Sequence, residues 1–462
     1  MNARQGLPFA AVSLVCLLCA PALRPAGEPG ETYEDIAQAL LIKGLTEQGA
    51  FDVLSRICGV GPRLTGSPQA AAAVDLAQEI MRGLGFDRVW TEPVEVGHWI
   101  RGDEEARLVS AAGGSVPLAA CALGGSVATP GDGISAEVLE VHSFDELKEA
   151  GDRAGGKIVF FDRAWDQSLP ETFAGYGPMA QQRDQAAIQA GRAGGVAAVV
   201  RSASTGHDDL PHTGLMHYEP GVVKVPAAAL SPLAADRLEE ALKLDPRARL
   251  YLRLGCRTEA PVMSANVIGE IRGTEKPEEV ILLGGHLDSW DLAPGAHDDG
   301  AGCSQAVEAV RLIRGLGLRP RRTIRAVLFM DEENGGTGGR AYAAAELRKQ
   351  ERHLAAIESD RGGFLPLGMG LGTIASYPRF AKYLPLLRLV GLFWLRPGGG
   401  GVDVGPLAGQ GVVLGGLVPD SQRYFDVHHS AADVLAAVNP RQLELGAVAM
   451  AVLAYVLAED GI

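Results

Sequence analysis

Val280-Ile281-Leu282-Leu283 is an unbroken apolar run that stops abruptly at Gly284-Gly285-His286. A run without polar alternation fits a strand buried on both faces, which demands helices packed on either side of it. A helical stripe follows, with Ala306, Val307, Val310 and Ile313 between Gly302 and Gly315. A second apolar run, Ile324 to Met330, ends at Asp331-Glu332-Glu333. Strand, helix and strand in that order predict a βαβ unit with parallel strands and a right-handed crossover. Both polar clusters then fall at carboxyl ends of strands, the edge where open α/β sheets bind ligands. "LAAIESD" repeats the pattern and ends at Asp360, and "YFDVHHSAAD" brings His428 and His429 after a loop.

The front of the chain reads differently. Residues 32–57 carry Ile36, Leu40, Leu41 and Leu45 near helical spacing, and a second helix is expected over 68–84. From about residue 101 to 257 short strand-like runs alternate with turns: "GKIVFFDRAW", "GGVAAVVRS", "VPAAALS" and "ARLYLRLG". The expected architecture is therefore α/β, with a mixed, largely parallel central sheet flanked by helices. It is built from residues 45–100 and 258–462, with a smaller α/β domain inserted at 101–257. At 462 residues the chain is long enough for two such units. A formal net charge of -14 makes it a poor general binder of nucleic-acid backbones. The short run Arg319-Pro320-Arg321-Arg322 reads as a solvated turn before a strand.

The N-terminus has the marks of a targeting segment. Arg4 precedes an apolar run from Leu7 to about Ala20, and Ala20-Pro21-Ala22 offers small residues for cleavage. Residues 1–22 are read as a signal peptide, and the run is too short for a stable membrane span. The expected location is secreted, periplasmic or lumenal. Cys58, Cys121, Cys256 and Cys303 remain after cleavage; their wide spacings leave buried thiols and one disulfide both open.

The strand ends combine imidazole and carboxylate without cysteine, a donor set for zinc, with manganese and cobalt as alternatives. Two metals about 3.5–4 Å apart require a bridging carboxylate and terminal ligands on each side. Asp298 is placed to bridge, and His286, Glu333, Asp360 and His429 are candidates for the rest. Two divalent ions, three carboxylates, two neutral imidazoles and one hydroxide sum to zero, which lowers the cost of burial. Glu332 is a candidate general base and proton carrier. Asp288 and Asp433 are expected to accept the second ring N–H of His286 and His429 and fix their tautomers. Taken singly, each of these residues is an ordinary turn, cap or strand-end group; their joint occurrence at successive sheet ends points to metal. His428 competes with His429 as ligand, and His297 is expected to point away. His207, His212 and His217 match no single-metal spacing and read as a polar loop. The glycine run 398–401 lacks the Lys-Ser/Thr of a phosphate loop and reads as a pocket loop.

"GGHLDSWDLAPGAHDDGAG", "MDEENGG", "ESDRGGF" and "FDVHHSAAD" in that order resemble the co-catalytic di-zinc aminopeptidase family, and "RLTGSP", "VVRSAST" and "PHTG" extend the likeness forward. The resemblance implies two Zn2+ per chain, one held by His286 and Asp360, the other by Glu333 and His429, with Asp298 between them. It also implies Glu332 as catalytic carboxylate and a cis Asp298–Asp299 peptide. The inserted unit becomes a protease-associated-like cap domain that roofs the cleft. The branch with the best motif match consists of exported homodimers that hydrolyse dipeptides with free ends, some with a propeptide corresponding here to residues 23–44. Ala431 stands where that pattern has another histidine, and Val434 where threonine is common; Val402-Asp403 lacks an expected hydroxyl. None of these is an expected ligand, so the departures fall on the substrate pocket. The expected function is a di-zinc exopeptidase acting on dipeptides or short peptides. The alternatives are an aminopeptidase for longer peptides and a non-catalytic binding protein on the same scaffold.

Overall fold

The computed structural model describes residues 32–110 and 114–462, so the expected signal peptide lies outside the described residues. Two eight-stranded mixed sheets carry the fold. In the first, the spatial order is Arg88–Ile100, Arg257–Ile271, Arg322–Phe329, Lys276–His286, Arg352–Glu358, Val413–Pro419, Pro366–Leu371 and Trp394–Arg396. Its four middle strands, from Arg322–Phe329 to Val413–Pro419, are parallel. The buried run Val280–Leu283 occupies one of them, paired on both sides, which is why its sequence shows no alternation. The strands of the second sheet all fall between Glu104 and Leu254, and parallel pairing joins Ile134–Val141, Ile158–Phe161, Ala197–Arg201 and Ala227–Leu230.

Helix Ala301–Gly315 crosses over between the parallel strands Lys276–His286 and Arg322–Phe329. Beside it lies Pro440–Asp460, capped by the Asn439 side chain and buried over most of its length. That helix is long and apolar enough to cross a membrane, but here it is a core helix with 83% of its apolar window buried.

The helix expected over 32–57 is two helices. Tyr33–Glu47 opens with a Thr32–Asp35 capping box, and Gly49–Gly59 follows a break at Gln48, which adopts φ 50. The reason is local packing. A Cβ on Gly49 would lie 2.5 Å from Glu308 Oε2, and the break lets the Ala50 amide donate to Glu444 Oε2 at 3.0 Å. The first helix packs on Pro440–Asp460 with Leu40 fully buried, so the part of the expected propeptide within it belongs to the core. All four described cysteines are buried free thiols.

Glu444 and Glu308 are buried together beneath this break. Burial, and after it Glu308, pushes the Glu444 carboxyl up to about 9. A carboxyl protonated in the folded state and ionised in the unfolded chain makes stability fall as pH rises from about 4.5 toward 9. Glu444→Gln keeps an acceptor for Ala50 and a donor for Glu308 but cannot ionise. Thermal melts are expected to show the variant gaining about 2 °C or more over wild type at pH 8.5, with little difference at pH 5.

Candidate metal centre

The carboxyl ends of the parallel strands bring the expected residues into one cleft. His286 closes its strand, Glu333 and Asp360 follow theirs within four residues, and His429 follows the short helix Tyr424–Val427. Asp298 arrives from the loop before helix Ala301–Gly315, across a cis Asp298–Asp299 peptide. His286 Nε2 lies 3.1 Å from Asp298 Oδ1 and 3.5 Å from Asp360 Oδ1. His429 Nε2 lies 3.2 Å from Asp298 Oδ2 and 3.1 Å from Glu333 Oε2. Two ligand atoms at roughly 2.0–2.1 Å from a tetrahedral ion are separated by roughly 3.3 Å, so these spacings match those of ligands to a shared ion. Glu333 Oε1 is buried without a hydrogen-bond donor, as expected of an acceptor meant for a cation. The residues present fit a divalent metal on each side of Asp298.

The electrostatics agree. Against the effect of burial, hydrogen bonds from His286 and His429 hold the Asp298 carboxyl well below its usual range. Burial first, and then neighbouring carboxylates, raise Glu333 and Asp360, and raise Glu332 well above the ordinary range. Bound divalent cations act in the opposite sense and keep all of them ionised. His428 stacks on His429 at 3.6 Å, but its Nε2 approaches only Asp298, at 3.5 Å. His429 meets both Asp298 and Glu333, which makes it the better placed of the two. His297 points away: it stacks on Phe364 and accepts from the Gly363 amide through Nδ1.

Asp288 and Asp433 occupy the expected neighbourhood with different partners. The Asp288 carboxylate accepts the amides of Asp331, Glu332 and Glu333 at 2.8, 3.2 and 3.3 Å, and the Thr65 hydroxyl at 2.8 Å. His286 Nδ1 meets the Asp288 backbone carbonyl instead, at 3.0 Å. Asp433 accepts the amides of His297 and Asp298, and His429 Nδ1 turns to the Thr213 carbonyl at 3.2 Å. Both carboxylates thus hold the backbone that presents the metal-facing groups, and main-chain carbonyls orient the two imidazoles. The expected tautomer role belongs to those carbonyls.

Several site residues lie outside the motif set. Trp290 Nε1 donates to Glu333 Oε2 at 2.7 Å. His212 Nδ1 contacts the His428 carbonyl at 2.6 Å, so it belongs to the site, whereas His207 and His217 pair with surface aspartates. Behind Asp360, Glu358 accepts the Val404 amide, and burial followed by Asp360 pushes its carboxyl up to about 7. His212 and Thr213 both lie in "PHTG" and Trp290 in the first motif, but a motif does not show that the Thr213 main-chain carbonyl is the acceptor.

Fold and cleft together define a metallopeptidase. The description "Peptidase family M28" matches residues 266–366. Carboxypeptidase Q of Bos taurus is 34% identical over 92% of this chain and 89% of its own length. The crystal structure of a peptidase M28 precursor from Shewanella amazonensis SB2B is 36% identical, covers 93% of this chain and 97% of its own, and superposes with a TM-score of 0.89. A zinc aminopeptidase from Bacillus subtilis, 19% identical over 90% of this chain and 96% of its own, shares the fold with a TM-score of 0.63. The chain belongs to peptidase family M28, on the branch of carboxypeptidase Q, the same branch its motifs resemble. It is a metallo-exopeptidase.

Asp288→Ala removes the acceptor for three consecutive amides under Glu332 and Glu333. Chelator competition is expected to show zinc affinity about 10-fold or more below wild type, with a lower Tm.

Proposed function

We propose that the chain hydrolyses dipeptides or short peptides with free termini at a centre of two zinc ions. The observation that carries this reading is the split of the Asp298 carboxylate: Oδ1 faces His286 and Oδ2 faces His429. His286 and Asp360 would then hold one ion and Glu333 and His429 the other, with Asp298 shared between them. When bound, the ions supply Lewis acidity toward the scissile carbonyl and lower the pKa of the attacking water.

Glu332 takes the proton of that water and passes it to the leaving amine. Its amide is held by Asp288, and its carboxyl shares the cleft with His286, Asp360, Glu333 and Asp298. Asp288 and Asp433 fix the main chain on either side of the reacting groups. Thr213 orients His429, and Trp290 steadies Glu333.

The inserted unit supports the preference for short substrates. It presses Gly124 against Trp290 so closely that an added Cβ would lie 1.9 Å from the indole. A covered cleft of this kind favours dipeptides over long chains. Export through the N-terminal segment and assembly as a homodimer complete the proposal.

Zinc content and dipeptide turnover test it. Wild type and Glu332→Gln are both expected to bind about two zinc ions per chain, with the variant slower by at least ~100-fold. Chelation should abolish turnover in wild type and zinc restore it. Equal rates in the two proteins would remove Glu332 from its role.

A further inference from the structure

Beside Asp360 lies a cavity of about 480 Å³, bounded by the glycine run 398–401, Trp394 and, from the inserted unit, Phe173. Arg361 and Arg396 both line it. The Arg361 guanidinium sits over the Phe173 ring at 4.5 Å, and that of Arg396 over Trp394 at 4.5 Å. Neither has a hydrogen-bond or ion-pair partner among the described residues. By contrast, Arg101, Arg201, Arg311, Arg322, Arg325 and Arg348 are tied to carboxylates. A guanidinium stacked on an aromatic face keeps its in-plane N–H donors available and is held for planar, bidentate contact with a carboxylate.

The carboxylates on the same wall are already engaged. Glu171 Oε1 accepts the Ser421 hydroxyl at 3.0 Å, Glu358 Oε2 accepts the Val404 amide at 2.9 Å, and Asp360 faces His286 at 3.5 Å. They do not neutralise the two guanidiniums by ion pairing. The cavity adjoins Asp360, so a group seated in it belongs to a peptide whose scissile bond lies at the metal centre.

We propose that this cavity recognises a carboxylate of the substrate through Arg361 and Arg396, and that it sets the enzyme's specificity. The carboxylate comes either from an acidic side chain or from the free end of the peptide. The inference rests on the peptidase reading of the metal centre. Phe173 makes the inserted unit a part of the specificity site, since it carries the ring on which Arg361 is stacked.

The test uses the zinc-loaded full chain and four peptides: Glu-Ala, Gln-Ala, Ala-Ala and Ala-Ala-amide. A side-chain source predicts kcat/KM at least ~10-fold higher for Glu-Ala than for Gln-Ala; a chain-end source predicts the same margin for Ala-Ala over its amide. Arg361→Gln and, independently at an exposed position, Arg396→Gln are expected to shrink that margin through KM, with kcat changed little. Arg361→Lys should restore part of it. Binding of the same peptides to Glu332→Gln, with and without Arg361→Gln, gives a second readout by calorimetry that needs no turnover. If wild type cleaves each acid and its amide alike, the carboxylate assignment is overturned while the peptidase reading stands. Retention of the full margin in both arginine variants overturns it equally. If no peptide is cleaved, the peptidase reading fails, and the calorimetry still decides between a carboxylate site and none.

Discussion

Repulsion among carboxylates at the carboxyl edge of the central sheet is the constraint on which the rest of the molecule depends. Asp298, Asp299, Glu333, Glu358, Asp403 and Asp433 are all buried there. Burial and mutual proximity raise the pKa of Asp299 and Asp403 well above the ordinary range. Asp298 moves the other way, because His286 and His429 donate to it. A cluster of this kind is costly without cations and much less so with them. The edge is therefore built around charge that the protein itself does not supply.

The two structural units meet at that edge. The inserted unit gives Thr213 and His212 to the loop carrying His428 and His429, and places Phe173 beside Arg361. The ion pair of Arg101 with Asp291 fastens it to the segment after His286, next to the edge-on packing of Trp99 and Trp290. Orientation of one imidazole thus depends on a main-chain carbonyl 216 residues away in sequence. A roof attached in this way does more than restrict access: it completes the surroundings of the groups that face the metal.

How much of this was legible follows from the kind of signal each residue carries. The strand ends were readable because doubly buried strands leave an unbroken apolar run, as in Val280–Leu283, and the polar residue that ends it lies at the binding edge. Asp288 and Asp433 were recognisable as acceptors near the metal, but a carboxylate in a sequence does not name its donor, and both serve main-chain amides. The break at Gln48 was hidden because helical periodicity continues across it, and the cause is a packing conflict at Gly49 with a helix far along the chain. His212 was read as part of a polar loop for a similar reason: its partner, the carbonyl of His428, has no side-chain signature. Side-chain ligands can be read from a chain; main-chain partners have to be seen.

Anomalous diffraction at the zinc edge from crystals of the zinc-loaded protein bears most directly on the central claim. Two peaks about 3.5–4 Å apart are expected, one between His286 and Asp360 and the other between Glu333 and His429, with Asp298 touching both. A single peak, or two peaks that Asp298 does not join, would contradict it.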